Sequence, residues 1–431
     1  MISFDVAVQA AAEQARGELQ AQDDAWGTGG WTRRRFLAGV GMAGVAALGT
    51  QLVTTRAAYA AAPTGGERTL ITVFLRGAAD GLHILVPNSA DLGLDYLRSV
   101  RGHLVPGASG LQALSGGWAL NAKLKPLYDQ LWGTGELAFV PAVSSTGVTR
   151  SHFQAQQFLE RGGSNTATSG WLDRVLEKLG PGTTFRAVSE GDATPVSLSG
   201  GQSSVTLTSI ADFVFPGWDD IRPRSQEAVA QLYRGLGGTL GADVPNTLAA
   251  LDTAAQIRAT GDTADYPGGD FGGALKDLAA ILKSEVGLQV ATVDVGGWDT
   301  HTDEINQLDG QLADFAAALQ AFFANLGPER RKRVTVAVMT EFGRRVAMND
   351  SGGTDHGHGS VLWLLGGGLA GSGVYGKWQQ LTAASVADED VPGWNNPFDV
   401  LGELAEKRLG VGLSGIFPGH TPAPLGVATA L

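Results

Sequence analysis

Apolar residues in this chain fall into short continuous runs, separated by longer stretches with helical spacing. "TLITVFLRGAADG" (69–81) is β-branched and apolar, then breaks into a Gly-rich turn. That pattern predicts a strand buried on both faces. "ELAFVPAV" (136–143), "LQVATVDVGGWDTH" (288–301), "RKRVTVAVMTEFGR" (331–344) and "SVLWLLGGG" (360–368) repeat it. The intervening segments 124–132, 151–160, 169–180, 244–260, 272–287, 303–327 and 397–410 carry apolar residues at helical spacing. Ser151 is a good N-cap for its helix, and Gly180 ends another. Buried strands alternating with amphipathic helices predict an α/β domain with a mostly parallel or mixed central sheet. Residues 181–245 are richer in Gly, Ser, Thr and Pro, with a strand-like "SSVTLTS" and a helix near 225–236. They predict a cap or insert within one domain spanning 61–431.

The amino-terminal 60 residues follow a different pattern. "TRRRFL" (32–37) precedes an uncharged Gly/Ala-rich run (36–55) and then "RAAYAAAP". This is a twin-arginine export pattern with small residues at the expected cleavage point. Glycine and alanine dilute the run below the hydrophobicity of a usual spanning helix, which predicts a removed signal rather than an anchor. The mature chain then begins near Ala61 and has no stable membrane span. The twin-arginine translocase is its partner during export, and its destination is the periplasm, the cell envelope or the exterior.

Composition narrows the chemistry. A net charge of −12 argues against nucleic acid, whose phosphates need Lys and Arg. The absence of cysteine removes disulfides, thiolate ligands and thiol nucleophiles. Any metal must rest on His, Asp and Glu, which suits zinc, manganese, calcium or magnesium.

Polar residues of the right kinds collect at the predicted strand ends. Asp80 follows the first strand, and Thr149, Arg150, Ser151 and His152 follow the second across a short loop. Asp299 and His301 follow the third, and Glu341, Arg344 and Arg345 follow the fourth. Asp355, His356 and His358 precede the fifth. Four of the seven histidines thus lie where one sheet edge would gather them, and ligands of α/β sheets bind beyond the carboxyl ends of strands. His and carboxylate without cysteine is the donor set of a one- or two-metal hydrolytic centre. The pairs Asp299/His301 and His356/His358 are spaced i,i+2, which in extended backbone puts both side chains on one face. The nucleophile of such a site is a metal-bound hydroxide or a side-chain hydroxyl. Ser151 at a helix start is the first choice and Thr149 the second. Arg150 suits an oxyanion as a planar fork.

"FLRGAADGLHILVP", "TRSHFQAQQFLE", "GGWDTH", "TEFGRRV" and "GTDHGHGSVLWLLGGGLAGSGVYG" together resemble an exported family, domain of unknown function family 1501. That family is similar to the alkaline phosphatase and sulfatase superfamily. The resemblance implies a three-layer α/β/α sandwich and one or two divalent ions (zinc, manganese or calcium). It implies metal ligation by Asp80, Asp299, His301, Glu341 and His356, with Asp355 and His358 as neighbouring ligand candidates. Ser151 or Thr149 would be the nucleophile, and Arg150 or Arg344 would hold a small or polymeric phosphate or sulfate ester. The implied activity is metal-dependent ester hydrolysis. Asp299 and His301 stand two apart where the superfamily usually has four, and Glu341-Phe342 replaces Asp-His. These departures motivate an alternative, a non-catalytic envelope binding or scaffold protein that kept the fold.

Overall fold

The computed structural model describes residues 67–145, 149–215, 220, 222–235, 238–386 and 388–430. The twin-arginine segment, with everything expected of residues 1–60, lies outside the described residues. Among the described residues, no helix is long and apolar enough to cross a membrane.

Strands in chain order are β1 (Thr69–Leu75), β2 (Leu85–Pro87), β3 (Leu111–Ala113), β4 (Trp118–Asn121), β5 (Leu137–Val143), β6 (Ala187–Glu190), β7 (Val205–Leu207), β8 (Val290–Val295), β9 (Val334–Thr340), β10 (Ser360–Gly366) and β11 (Gly373–Val374). The helices used below are α1 (Gly81–Ile84), α2 (Leu94–Arg101), α3 (His152–Glu160), α4 (Trp171–Leu179), α5 (Arg222–Tyr233), α6 (Gly238–Ala259), α7 (Asp270–Lys283), α8 (Glu304–Arg331) and α9 (Pro397–Leu409).

The main sheet runs β11-β5-β10-β9-β1-β8-β6-β7. β1 pairs in parallel with both β8 and β9, whereas β10 runs antiparallel to β5 and β9. The sheet is therefore mixed. β1 is buried along its whole length because both of its faces are covered. Ile71, Val73 and Leu75 join one apolar layer with Leu275 and Leu278 of α7 and Leu312 and Leu319 of α8. Leu70 and Phe74 join the other, with Leu172 and Leu176 of α4 and Leu401 and Leu404 of α9. Helices thus sandwich the sheet, giving three layers.

The segment 181–245, expected as a cap or insert, supplies β6 and β7 to the edge of the main sheet. α5 lies within it, where a helix near 225–236 was expected, α6 begins within it, and the two pack on one another. Its apolar strand residues Val188, Val205 and Leu207 belong to the main core, so Gly and Ser richness marks its loops rather than a detached unit. β2, β3 and β4 form a separate small sheet. α8 continues past the expected end, although Gly327 (φ +68°) leaves helical geometry there.

Candidate metal centre

Three of the loops that leave these strands meet at one point. His152 is the first residue of α3, Asp299 and His301 lie in the turn after β8, and His356 lies in the loop before β10. His152, Asp299 and His356 each offer a ligand atom, and those atoms all lie within 4.8 Å of one another. The Nε2 of His356 is 3.0 Å from the Nε2 of His152 and 3.0 Å from the Nε2 of His301. Oδ1 of Asp299 is 3.1 Å from His356 Nε2 and 3.0 Å from His301 Nε2. The cluster is partly open, with the Asp299 side chain 47% exposed.

The opposite nitrogen of each ring decides what the cluster needs. His152 Nδ1 is 2.7 Å from Glu341 Oε1, His301 Nδ1 is 3.3 Å from Asp355 Oδ1, and His356 Nδ1 is 3.0 Å from the carbonyl of Arg150. All three partners only accept, so each Nδ1 carries the hydrogen and each neutral Nε2 keeps its lone pair. Three lone pairs and a carboxylate then face each other across about a ligand-sphere distance. The Arg344 guanidinium relieves part of their mutual repulsion at Asp299 and His301, and a cation among the Nε2 atoms would relieve the rest. A proton is one candidate: burial pushes the His356 imidazole below its ordinary value, whereas the Glu341 hydrogen bond pushes the His152 imidazole above it. A divalent ion would satisfy His152, Asp299 and His356 together, with His301 beside them, and a histidine whose other nitrogen is held by an acceptor is the usual form of a metal ligand.

Asp299 is set in place by Arg344, whose Nη2 donates to Oδ1 at 2.6 Å. Burial raises the Asp299 carboxyl, and the hydrogen bond and charge of Arg344, with the His356 and His301 rings beside it, outweigh that, leaving the group at about 2. Arg344 is fully buried and also donates to the carbonyls of Gly77, Ala78, Trp298 and Thr354. It therefore ties three loops together and has no capacity left for an ester. Gly77 (φ +123°) makes this approach possible, because a Cβ there would lie 2.5 Å from the nitrogen of Asp299.

The other expected site residues are placed as follows. Asp80 is not in the cluster. It is buried, caps α1 through Leu82, and is held by both guanidinium nitrogens of Arg101 from α2. Arg101 keeps its carboxyl ionised despite burial. Glu341 does not reach the centre either, since its Oε1 accepts from His152, Gln156 and the nitrogen of Gly77. Asp355 faces His301 and Asn349. His358 points away, with Nδ1 3.0 Å from Ser144 Oγ. The i,i+2 argument therefore serves Asp299 and His301 but not His356 and His358. In the first pair Thr300 N donates to Trp298 O, a tight turn that swings the side chains together. Parallel side chains on an extended strand need not converge.

Ser151 precedes α3 in extended backbone, its hydroxyl making no capping bond. The Thr149 hydroxyl donates to Gln154. Arg150 is half exposed and pairs with Asp390 at 2.8 Å. His152 is the ligand candidate that sequence reasoning saw without assigning. It follows Ser151 directly, and the signal was its position at the first turn of a helix opening on the sheet edge.

The fold and this cluster define a mixed α/β protein with a His/Asp site suited to a cation. Residues 141–392 match the family described as Protein of unknown function (DUF1501), and the chain belongs to that family. No curated protein sequence matches it. Solved structures similar to it include a 2-O GAG sulfatase, at 9% identity over 82% of this chain and 73% of that one, TM-score 0.36. A second is alkaline phosphatase from the Antarctic bacterium TAB5, at 12% identity over 72% and 94%, TM-score 0.28. A third is the soluble domain of lipooligosaccharide phosphoethanolamine transferase A from Neisseria meningitidis, at 11% over 74% and 80%, TM-score 0.27. Scores this low carry no inference about the chemistry of this chain.

Proposed function

We propose that the protein is an exported, metal-dependent hydrolase of phosphate or sulfate esters. The carrying observation is the meeting of three Nε2 atoms with the Asp299 carboxylate, each Nδ1 being held by an acceptor. His152, His301, His356 and Asp299 would hold one ion. Zinc suits the imidazole-rich set best. A divalent ion there supplies Lewis-acid stabilisation of developing negative charge. The chain's own residues bind and orient the ester. Arg150 offers a half-exposed guanidinium beside the cluster, and the amino-terminal end of α3 favours an anion. Ser151 remains the hydroxyl best placed by sequence. The export proposal rests on the "TRRRFL" pattern.

Elemental mass spectrometry of the full chain, purified without chelators or a metal-binding tag, tests the proposal. One divalent ion per chain, together with turnover of aryl phosphates or sulfates, is the expected result. No ion after soaking with zinc, manganese and calcium would overturn it. An ion without any ester hydrolysis would favour the binding or scaffold reading.

A further inference from the structure

His301 is the least firmly held of the three histidines at the cluster. His152 leans on the buried Glu341 carboxylate, and His356 leans on the backbone carbonyl of Arg150. His301 Nδ1 instead meets Asp355 Oδ1 at 3.3 Å, and these side chains are 40% and 53% exposed. A contact between two exposed side chains orders them little by itself, because water competes for both partners and their conformational entropy opposes it. A ring held only in this way would not stay at the cluster.

Asn349, in the loop between β9 and β10, adds the missing hold. Its amide divides two tasks. Oδ1 accepts from the backbone nitrogens of Ser351 and Gly353, which closes the turn 349–353. Nδ2 donates to the carbonyl of His301 at 3.0 Å and to Asp355 Oδ1 at 3.2 Å. One NH2 group thus grips the His301 backbone and also the carboxylate to which the His301 ring donates. The turn lies hard against the same residue, since a Cβ on Gly353 would come within 2.4 Å of the His301 carbonyl carbon.

We infer, on the metal reading proposed above, that Asn349 is the positioning residue that keeps His301 as a fourth donor beside His152, Asp299 and His356. Its Nδ2 contacts reach the ion site through His301. Without them the ring is free to turn into solvent, and three donors remain.

Cobalt(II), added as the metal alone to the purified full chain, tests this. Its visible spectrum reports the number and geometry of donors, and titration gives its affinity. Asn349→Ser keeps an oxygen acceptor for the turn and loses the Nδ2 bridge. It should weaken cobalt binding by about 10–100-fold, the usual effect of losing an orienting partner. Its spectrum should move to that of His301→Ala while circular dichroism stays native. In the His301→Ala background, Asn349→Ser should have no further effect, because both changes remove one contact, whereas a merely structural role would add to the loss. If Asn349→Ser does not fold, Asn349→Asp, whose carboxylate keeps the turn and repels Asp355, should give the same spectral change. Additive losses, unchanged affinity in the folded Asn349 variant, or a His301→Ala spectrum identical to that of the unsubstituted chain would each overturn the inference and leave a three-donor ion site standing. No cobalt binding by the unsubstituted chain would overturn the metal reading and the role of Asn349 with it.

Discussion

Nδ1 of His152 lies 2.7 Å from Oε1 of Glu341, and this contact turns the other nitrogen of the ring toward His356. Glu341 is almost fully buried and also accepts from Gln156 and Gly77. It orients a ligand candidate rather than acting as one, and its hydrogen bond raises the His152 imidazole above its ordinary value. Glu341→Gln should therefore keep the ion but weaken its affinity by about 10–100-fold, the usual effect of losing an orienting partner. Competition with a chromogenic chelator measures this. Unchanged affinity would remove Glu341 from the site.

His356→Ala and Asp80→Asn should separate two roles that the sequence had merged. His356→Ala should lose bound metal while the fold persists, because the ring is partly exposed. Asp80→Asn should keep metal and lose stability by about 3–5 kcal/mol, since it leaves the Arg101 guanidinium buried and unpaired. Metal analysis beside urea denaturation distinguishes them. Metal loss in Asp80→Asn with stability intact would restore Asp80 as a ligand.

Glu304 gives a dependence on pH. Burial and the neighbouring Asp80 raise its carboxyl from 4.5 to about 8. Its folded-state value lies above the unfolded one, so the native state binds the extra proton between those limits. Stability should then fall as pH rises from about 5 to about 8. Glu304→Gln mimics the protonated acid and keeps an oxygen for the Thr354 hydroxyl. The melting temperature of this variant should lose that downward slope. A parallel slope in wild type and variant would show that Glu304 is not the source.

Arg150→Ala should raise KM for an anionic ester several-fold, with little change in metal content. Its side chain pairs with Asp390, whereas only its backbone carbonyl touches His356. Steady-state kinetics with aryl phosphate and aryl sulfate measure the split. An unchanged KM for both would remove Arg150 from ester binding.

Much of the fold was legible because β1, β5, β9 and β10 are buried on both faces and so read as unbroken apolar runs. The direction of β10 was not legible, since burial looks the same in parallel and antiparallel pairs. β7 lies within the strand-like "SSVTLTS", whereas β6 was hidden by its shortness. At the site, Asp299, His301 and His356 were found because each stands in a polar turn after or before such a run. Asp80 misled because Arg101, at the end of α2, folds inward to claim it. His152 was passed over because the adjacent serine fitted both a cap and a nucleophile.

The hold of Arg344 on Gly77, Ala78, Trp298, Thr354 and Asp299 also bears on the order of events in folding. These groups come from opposite ends of the chain, and their contacts pay the full loop-closure entropy before they form. The ion site cannot be complete until β1, β8 and β9 are in register. If the proposed site takes an ion, uptake should be a late event that reports a finished sheet, and a stalled chain would stay unloaded. Stopped-flow refolding with an ion-sensitive dye should show uptake lagging behind the burial of tryptophan.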